Sequence, residues 1–573
     1  MTTTRSGFTK LAAVCIAILL GAVVWELGWP LTRAEHEWSR LIAAVATLGH
    51  LTGILGSYFR KEINRPSLRL LIFQIISCLM IFLLIAREQQ EAGYMRFTEL
   101  SRLVITAGLI AIPTLMSLTR IFEWLVGKQK KGRPLMAPAM QFVASLGVVI
   151  LAGTGLLLLP NSTYPGITLS FTDALFTSTS AVCVTGLNAV DFAHTFTPLG
   201  EMFTLALIQI GGFGIMTFAY FVAMVAGQGF SLRDRVLLTD LLDEDNLGAV
   251  VSFITTIVVS TLFIELCGAV LLYFSWEGKD INLMGEPLWW HSLFHSVSAF
   301  CNAGFSTFPM NLMEPGIRLC YSGQAVIMAL IVCGGLGFGI YKEINSRLAN
   351  RFFSKHRRLH MQWTPYFKLV MISTGILLAG GALAIFAVSS PHAAEPLGEH
   401  LWICLFDSVT ARTAGFNISD YGRYLPAASL IMCGLMMVGG SPGGTAGGMR
   451  TTTCAIAGAE ILRILRGRDH VEFFRRRIDQ RTVARCVITV VVSCAWIGCF
   501  TVLICALEPS MSSLDIFFEN CSAFATVGVS RGITPDLSGP SKYLLIVNML
   551  AGRVGLFAFL IALALSLIHI SEP

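Results

Sequence analysis

The sequence predicts an all-α polytopic membrane protein: four repeats of span, half-helix, glycine loop and span set around one axis, preceded by about four extra N-terminal spans. Three observations carry that prediction. Of 573 residues 54% are hydrophobic and 13% charged, whereas a soluble domain carries about a quarter charged residues. Apolar runs long enough to cross roughly 30 Å of hydrocarbon recur along the whole chain. Between them lie four apolar segments of about a dozen residues, too short to span, that repeat one another's sequence.

The first run, "LAAVCIAILLGAVVWELGW", has no small-residue cleavage site after it and reads as a retained helix rather than a signal peptide. Spans are expected near 9–28, 41–57, 69–86 and 103–122, which together make an N-terminal region 1–134. Further spans fall near 138–160, 200–226, 248–274, 323–341, 365–388, 482–507 and 541–568, with a broken one over 427–465. The short segments, near 171–181, 289–300, 400–411 and 513–524, suit re-entrant half-helices.

These segments read "LFTSTSAVCVTGLN", "LFHSVSAFCNAGFS", "LFDSVTARTAGFN" and "FFENCSAFATVGVS", each running up to a glycine: Gly186, Gly304, Gly415 and Gly528. The glycines are 118, 111 and 113 residues apart, which divides the chain into units 135–247, 248–363, 364–480 and 481–573. A phenylalanine precedes the glycine by ten residues in three copies (Phe176, Phe294, Phe518), and the third copy, one residue shorter, uses Phe406.

Lys and Arg fix the orientation. The connections entering and joining the units (120–134, 227–247, 342–368, 450–485) hold 23 of them, against six in the loops within units. By the positive-inside bias the former are cytoplasmic, the half-helices enter from outside, and the N-terminus is inside. The basic stretches "NRFFSKHRRLH" and "FFRRRIDQR" are read first as topology determinants, with contacts to a cytosolic partner or anionic lipid as the alternative. A net charge of +6 spread over such loops points to no nucleic-acid partner. The fifteen cysteines contain no C-x-x-C and sit mostly in apolar runs, which reads as core packing rather than a metal or disulfide framework.

Backbone leaves helical geometry at membrane depth only where its carbonyls face protein, water or an ion. Four glycine loops around one axis would turn carbonyls to a shared centre, because glycine takes positive φ and permits close approach. Such a ring replaces the hydration shell of K⁺, and Thr526-Val527-Gly528 matches three residues of the K⁺-channel filter. Each half-helix would also aim its partially negative C-terminus at the centre, favouring a cation. The candidate ion-binding residues are Val184, Thr185 and Gly186; Asn302, Ala303 and Gly304; Thr413, Ala414 and Gly415; and Thr526, Val527 and Gly528. Asp173 and Asp515, each thirteen residues before its glycine, are read as helix caps, or else as attractors of cations at the outer mouth.

On these motifs the chain resembles the Trk/Ktr/HKT superfamily of potassium transporters over roughly residues 135–568, and most closely the bacterial Ktr-type membrane subunit. The resemblance implies K⁺-channel-like M1–P–M2 repeats around one pore, potassium uptake across the cytoplasmic membrane, and no enzymatic activity. It also implies a homodimer and a cytosolic nucleotide-binding regulatory ring, so that any nucleotide would sit on a separate subunit; no cofactor is bound covalently. In plant relatives a serine in place of the first filter glycine goes with Na⁺ transport, and Gly186 resembles the K⁺-permeable form. Assistance by Na⁺, and a Na⁺-preferring or non-selective cation pathway, stay open as alternatives.

Downstream of each filter glycine the second span carries "GGFG", "GGLGFG", "GGSPGG" or "AGRVG", aligned at Gly212, Gly335, Gly440 and Gly552. Small residues there suit a kink or close helix approach. The third is expanded into "VGGSPGGTAGGMR", and resembles the family's intramembrane gating loop (438–451), with Gly439, Gly440, Ser441, Pro442, Gly443, Gly444, Thr445, Gly447 and Gly448 as gate residues. Two rival readings are a cytoplasmic turn between separate helices and a hydrolase elbow, since the stretch satisfies G-x-S-x-G at Ser441. The elbow needs a preceding strand or a histidine partner, and the histidines lie mostly in loops, His291 and His295 excepted. A phosphate cradle lacks its G-x-x-x-x-G-K-[ST]. Arg553 stands in a span, where an ionisable residue is costly and functional by default. By resemblance to the family's M2 arginine it sets an electrostatic barrier below the filter; the alternative is an ion pair with a core acid such as Glu265. Residues 1–134 and the closing "SLIHISEP", which replaces the family's short basic tail, depart from the family pattern.

Overall fold

The computed structural model describes residues 7–32, scattered positions between 35 and 52, 138–214, 250–353, 363–389, 396–474 and 476–560. The expected spans near 69–86 and 103–122 lie outside the described residues, as do the basic connections 120–134 and 227–247. Two compact units partition the chain. In the first, helix α1 (Gly7–Gly28) packs Leu19 and Ala22 against Ala43 and Ala46, and Ser39 Oγ donates to Ala22 O at 3.2 Å.

The second unit holds the described α-helices of the four sequence copies, apart from residues 250–254. The first consists of α2 (Pro138–Leu157), the short α3 (Phe171–Val182) and α4 (Pro198–Phe213). The second consists of α5 (Val250–Trp276), the short α6 (Leu288–Cys301), α7 (Tyr321–Gly335) and α8 (Phe338–Phe353). The third has α9 (Pro365–Val388), the short α10 (Leu397–Thr410), α11 (Pro426–Met437) and α12 (Thr451–Leu465). A two-residue hairpin, β1 (Glu472–Phe473) with β2 (Arg476–Arg477), leads into the fourth copy. That copy contains α13 (Gln480–Leu507), the short α14 (Ser513–Ala525) and α15 (Gly539–Val554).

The long first helices form the outside. α5 from Ile254, α9 and α13 are apolar enough to cross a membrane, with at most 33% of each apolar window buried. Phe263 on α5, Ile376 on α9 and Val502 on α13 are each more than 65% exposed, the surface a helix offers to lipid rather than water. The short helices form the inside: Phe176, Phe294, Phe406 and Phe518, the phenylalanines the copies share, are at most 1% exposed.

Packing between copies runs in a circle. α4 packs on α6, α7 on α10, α11 on α14, and α15 back on α3, so each second helix covers the short helix of the next copy and the fourth covers the first. The second spans themselves are not continuous. The run expected as one span at 323–341 breaks between α7 and α8 with a bend of 94°. The helix expected over 541–568 leaves helical geometry at Gly555, φ 90°.

The break follows from the G-x-x-G spacing. A Cβ on Gly211, Gly334 or Gly552 would approach the carbonyl carbon of Val182, Phe300 or Phe524 to 2.9, 3.0 and 2.8 Å, the last turn of a short helix each time. Three residues further on, Gly214, Gly337 and Gly555 adopt φ of 76°, 88° and 90°, which ends the helix. The alignment at Gly212, Gly335 and Gly552 therefore needs a shift by one in the first two copies. Arg553 falls in register with Gly212 and Gly335.

Candidate functional site

The four glycines meet. A Cβ on Gly186 would lie 3.1 Å from Gly304 Cα, one on Gly304 2.7 Å from Gly415 Cα, one on Gly415 3.3 Å from Gly528 Cα, and one on Gly528 2.9 Å from Gly186 Cα. The ring closes in chain order. At each junction the nearest atom is a carbonyl oxygen of the residue before the neighbouring glycine: Ala303 O, Ala414 O, Val527 O and Thr185 O.

Each loop is wound the same way. The glycines have φ of 91°, 69°, 81° and 93° in order, and two residues earlier Val184, Asn302, Thr413 and Thr526 have φ of 56°, 60°, 71° and 51°. The residue between keeps negative φ, and alternating handedness turns successive carbonyls to one side. For β-branched Val184, Thr413 and Thr526 the left-handed region costs about 1–2 kcal/mol each. Hydroxyls behind the loops hold them there. Ser180 Oγ and Ser522 Oγ accept from Gly186 N and Gly528 N at 3.0 Å each, while Ser298 Oγ and Thr410 Oγ1 donate to Phe305 O and Phe416 O at 2.8 and 2.6 Å. The third copy absorbs its missing residue by ending α10 at Thr410, five residues before the glycine. Thr185 Oγ1 and Thr526 Oγ1 are buried and bond to no described atom.

Beneath the ring lies the stretch Val438–Arg450, which joins α11 to α12 without forming a solvent turn: Gly439, Gly440, Ser441, Thr445, Gly447 and Met449 are buried. Backbone bonds fix it. Gly439 N donates to Met449 O at 2.8 Å, Ser441 N to Gly335 O at 3.0 Å, Gly448 N to Gly552 O at 3.3 Å, and Phe338 N to Gly443 O at 3.0 Å. Tyr366 Oη donates to Pro442 O at 2.9 Å and Thr445 Oγ1 to Phe300 O at 3.3 Å. A Cβ on Gly447 would sit 3.0 Å from Thr526 Cγ2, and one on Gly448 3.0 Å from Ala525 Cα, so this stretch lies directly against the fourth glycine loop.

Arg553 donates through Nη1 to Thr445 O in the loop and through Nη2 to Gly211 O at the end of α4. The ion pair with Glu265 is not made: Glu265 Oε2 accepts from Gln209 Nε2 at 3.0 Å. Ser441 Oγ faces Thr451 Oγ1 at 3.3 Å, and helix α11, not a strand, precedes it, so the hydrolase elbow has neither strand nor base. His295 and His291 are engaged in the second copy with Ser306 Oγ at 2.8 Å and Thr307 Oγ1 at 2.6 Å. At the starts of α3 and α14 Asp173 accepts from Lys542 Nζ at 2.8 Å and Asp515 from Arg531 Nε at 2.6 Å; Ser170, not Asp173, caps α3. Both carboxylates are thereby neutralised, which weakens the attractor reading.

The left-handed residue two before each glycine had no signal in the sequence except Asn302, whose residue type tolerates that region. The hydroxyl latches did: Ser180, Ser298, Thr410 and Ser522 stand in register in the four aligned segments.

The family described as "TrkH: Cation transport protein" matches residues 104–568. Ktr system potassium uptake protein B of Bacillus subtilis is 34% identical over 431 residues, covering 73% of this chain and 91% of that protein. Potassium/sodium uptake protein NtpJ of Enterococcus hirae is 33% identical over 446 residues, covering 76% and 94%. The crystal structure of the potassium transporter TrkH from Vibrio parahaemolyticus superposes with a TM-score of 0.60 at 18% identity, over 86% of this chain and 96% of that one, which shows a shared fold. With apolar helices of membrane length and relatives aligned over most of their own sequence, the chain belongs to the TrkH family of cation transport proteins, a family of ion transporters rather than enzymes.

Proposed function

We propose that this protein takes up K⁺ across the cytoplasmic membrane through the ring of carbonyls at Gly186, Gly304, Gly415 and Gly528, each loop being the filter of one M1–P–M2 repeat. The carrying observation is the ring itself: four loops of one sequence pattern share one backbone winding, and three of them place a β-branched residue in the left-handed region. Strain of that kind persists where the surroundings impose it. Oxygens so oriented replace a hydration shell, and the orphaned hydroxyls of Thr185 and Thr526 are further oxygen ligands for a cation.

In this reading the loop 438–451 is the gate, and Arg553 both latches it and places a positive charge below the filter. The name of the Bacillus subtilis relative, a potassium uptake protein, supports K⁺ as substrate. The name of the Enterococcus relative, potassium/sodium uptake, supports a second reading in which Na⁺ also passes. A homodimer, a cytosolic nucleotide-binding ring and an N-terminus inside complete the proposal by resemblance to the Ktr-type subunit.

Growth of an uptake-deficient bacterium at low K⁺ tests it. The wild-type chain is expected to restore growth, Gly304→Ser to abolish it and Ser441→Ala to keep it. Rescue lost with Ser441→Ala but kept with Gly304→Ser would overturn the reading. Arg553→Ala is expected to raise the maximal velocity of Rb⁺ uptake several-fold, because two backbone tethers and a barrier charge vanish together. Unchanged velocity and affinity would remove Arg553 from the mechanism.

A further inference from the structure

The second helices share a feature that none of their motifs announces. The fourth residue of α4, α7, α11 and α15 is Glu201, Gln324, Ser429 and Lys542, polar each time and at most 8% exposed. Each bonds the next copy around the ring. Glu201 Oε2 accepts from Trp290 Nε1 at 2.6 Å, and Gln324 Oε1 accepts from Trp402 Nε1 at 2.6 Å. Ser429 Oγ accepts from Arg531 Nη1 at 2.6 Å, and Lys542 Nζ donates to Asp173 Oδ1 at 2.8 Å. One position in a repeated helix thus makes all four seams, with different chemistry at each.

Buried polar groups must find partners, so a polar seam admits one register where apolar packing admits several. The partners stand close to the filter. Trp290, Trp402 and Asp173 belong to the short helices that carry the filter loops, and Arg531 lies three residues past Gly528. At the filter itself the clearance between neighbouring glycines is that of backbone contact, so a shift of a few tenths of an ångström at a seam changes the spacing of the carbonyls.

We propose that Glu201, Gln324, Ser429 and Lys542 with their partners form an outer hoop of positioning residues that sets the filter aperture and thereby its discrimination between K⁺ and Na⁺. The proposal rests on the reading of the glycine ring as a K⁺ filter. Its most sensitive link is Lys542–Asp173. Copies one to four are joined in sequence by the chain, whereas four and one come together across 369 residues; on the outer side Thr172 Oγ1 and Tyr543 Oη at 3.1 Å add to that pair.

The test is Rb⁺ and Na⁺ uptake by the full chain in liposomes, with size-exclusion profiles as the check on folding. Lys542→Met is expected to raise Na⁺ uptake relative to Rb⁺ about tenfold, and the exchanged pair Lys542→Glu with Asp173→Lys to recover most of the discrimination. Trp402→Phe, which keeps an aromatic ring at the site and removes the N–H, is expected to shift the ratio by about threefold and serves where Lys542→Met does not fold. If both variants fold and keep the wild-type ratio, or lose Rb⁺ and Na⁺ uptake in equal proportion, the hoop is structural only and the proposal is overturned. A wild-type chain that shows no preference for Rb⁺ over Na⁺ removes the filter reading itself and the hoop with it, whereas a selective wild type with unmoved variants removes the hoop alone.

Discussion

Gly528→Ala is expected to abolish K⁺ uptake while the protein still reaches the membrane. The added methyl would lie 2.9 Å from Gly186 Cα, closer than real side chains come to backbone, and its own φ is 93°. Alanine in that region costs more than about 1 kcal/mol even with open space around it. Relief by rotation of the peptide would turn a carbonyl out of the ring, and relief by translation would push the first copy's loop aside. Either route alters the oxygens that face the ion, so Rb⁺ uptake should fall by more than about 100-fold. The check is uptake per membrane-inserted protein; a variant within twofold of wild type would mean that these glycines do not face the permeation path.

Deletion of Gly443 to Gly447 should act in the opposite direction. It removes Thr445, whose carbonyl is the anchor for Arg553, and Gly447, which packs against Thr526. It also removes the carbonyl of Gly443 to which Phe338 N donates, so the bend between α7 and α8 loses a tie. With the segment shortened, α11 and α12 are pulled toward each other and nothing spans the space below the ring. K⁺ flux is expected to rise by about tenfold or more and to respond less to regulation, measured as Rb⁺ uptake by purified protein in liposomes. Unchanged flux in a deletion that inserts normally would show that the segment is not a gate.

The half-helices were legible because twelve apolar residues cannot span a bilayer, and because four copies of one segment announce each other: α3, α6, α10 and α14 occupy the stretches marked out by length alone. The four candidate glycines, which the structure brings together, were legible as a repeat but not as a winding. Nothing in Val184 or Thr526 advertises a left-handed backbone, since tertiary contacts impose it against their preference. Apolar character drew 323–341 and 541–568 as single runs, and the glycine motifs inside them carried the signal for a kink; what they did not report is its sharpness, set by a G-x-x-G whose first glycine lies under a neighbour's carbonyl. The seams were invisible. Glu201, Gln324, Ser429 and Lys542 share a position and no chemistry, so only their partners in space reveal that they do one job.

The buried loop has a consequence for how its sequence can vary. It is held mainly through main-chain atoms, Gly439 N, Ser441 N, Gly448 N, Gly443 O and Pro442 O, so its neighbours read its course rather than its side chains. Thr445 Oγ1 adds one side-chain tie to Phe300 O, and at Gly439, Gly440, Gly447 and Gly448 a Cβ would press on the loop itself or on the fourth glycine loop, so spacing and smallness carry most of the information. Insertions and deletions, and any side chain at the crowded glycines, should therefore be the changes that undo its course between Val438 and Arg450, while exposed Gly443, with open space around it but φ 70°, should take asparagine better than alanine.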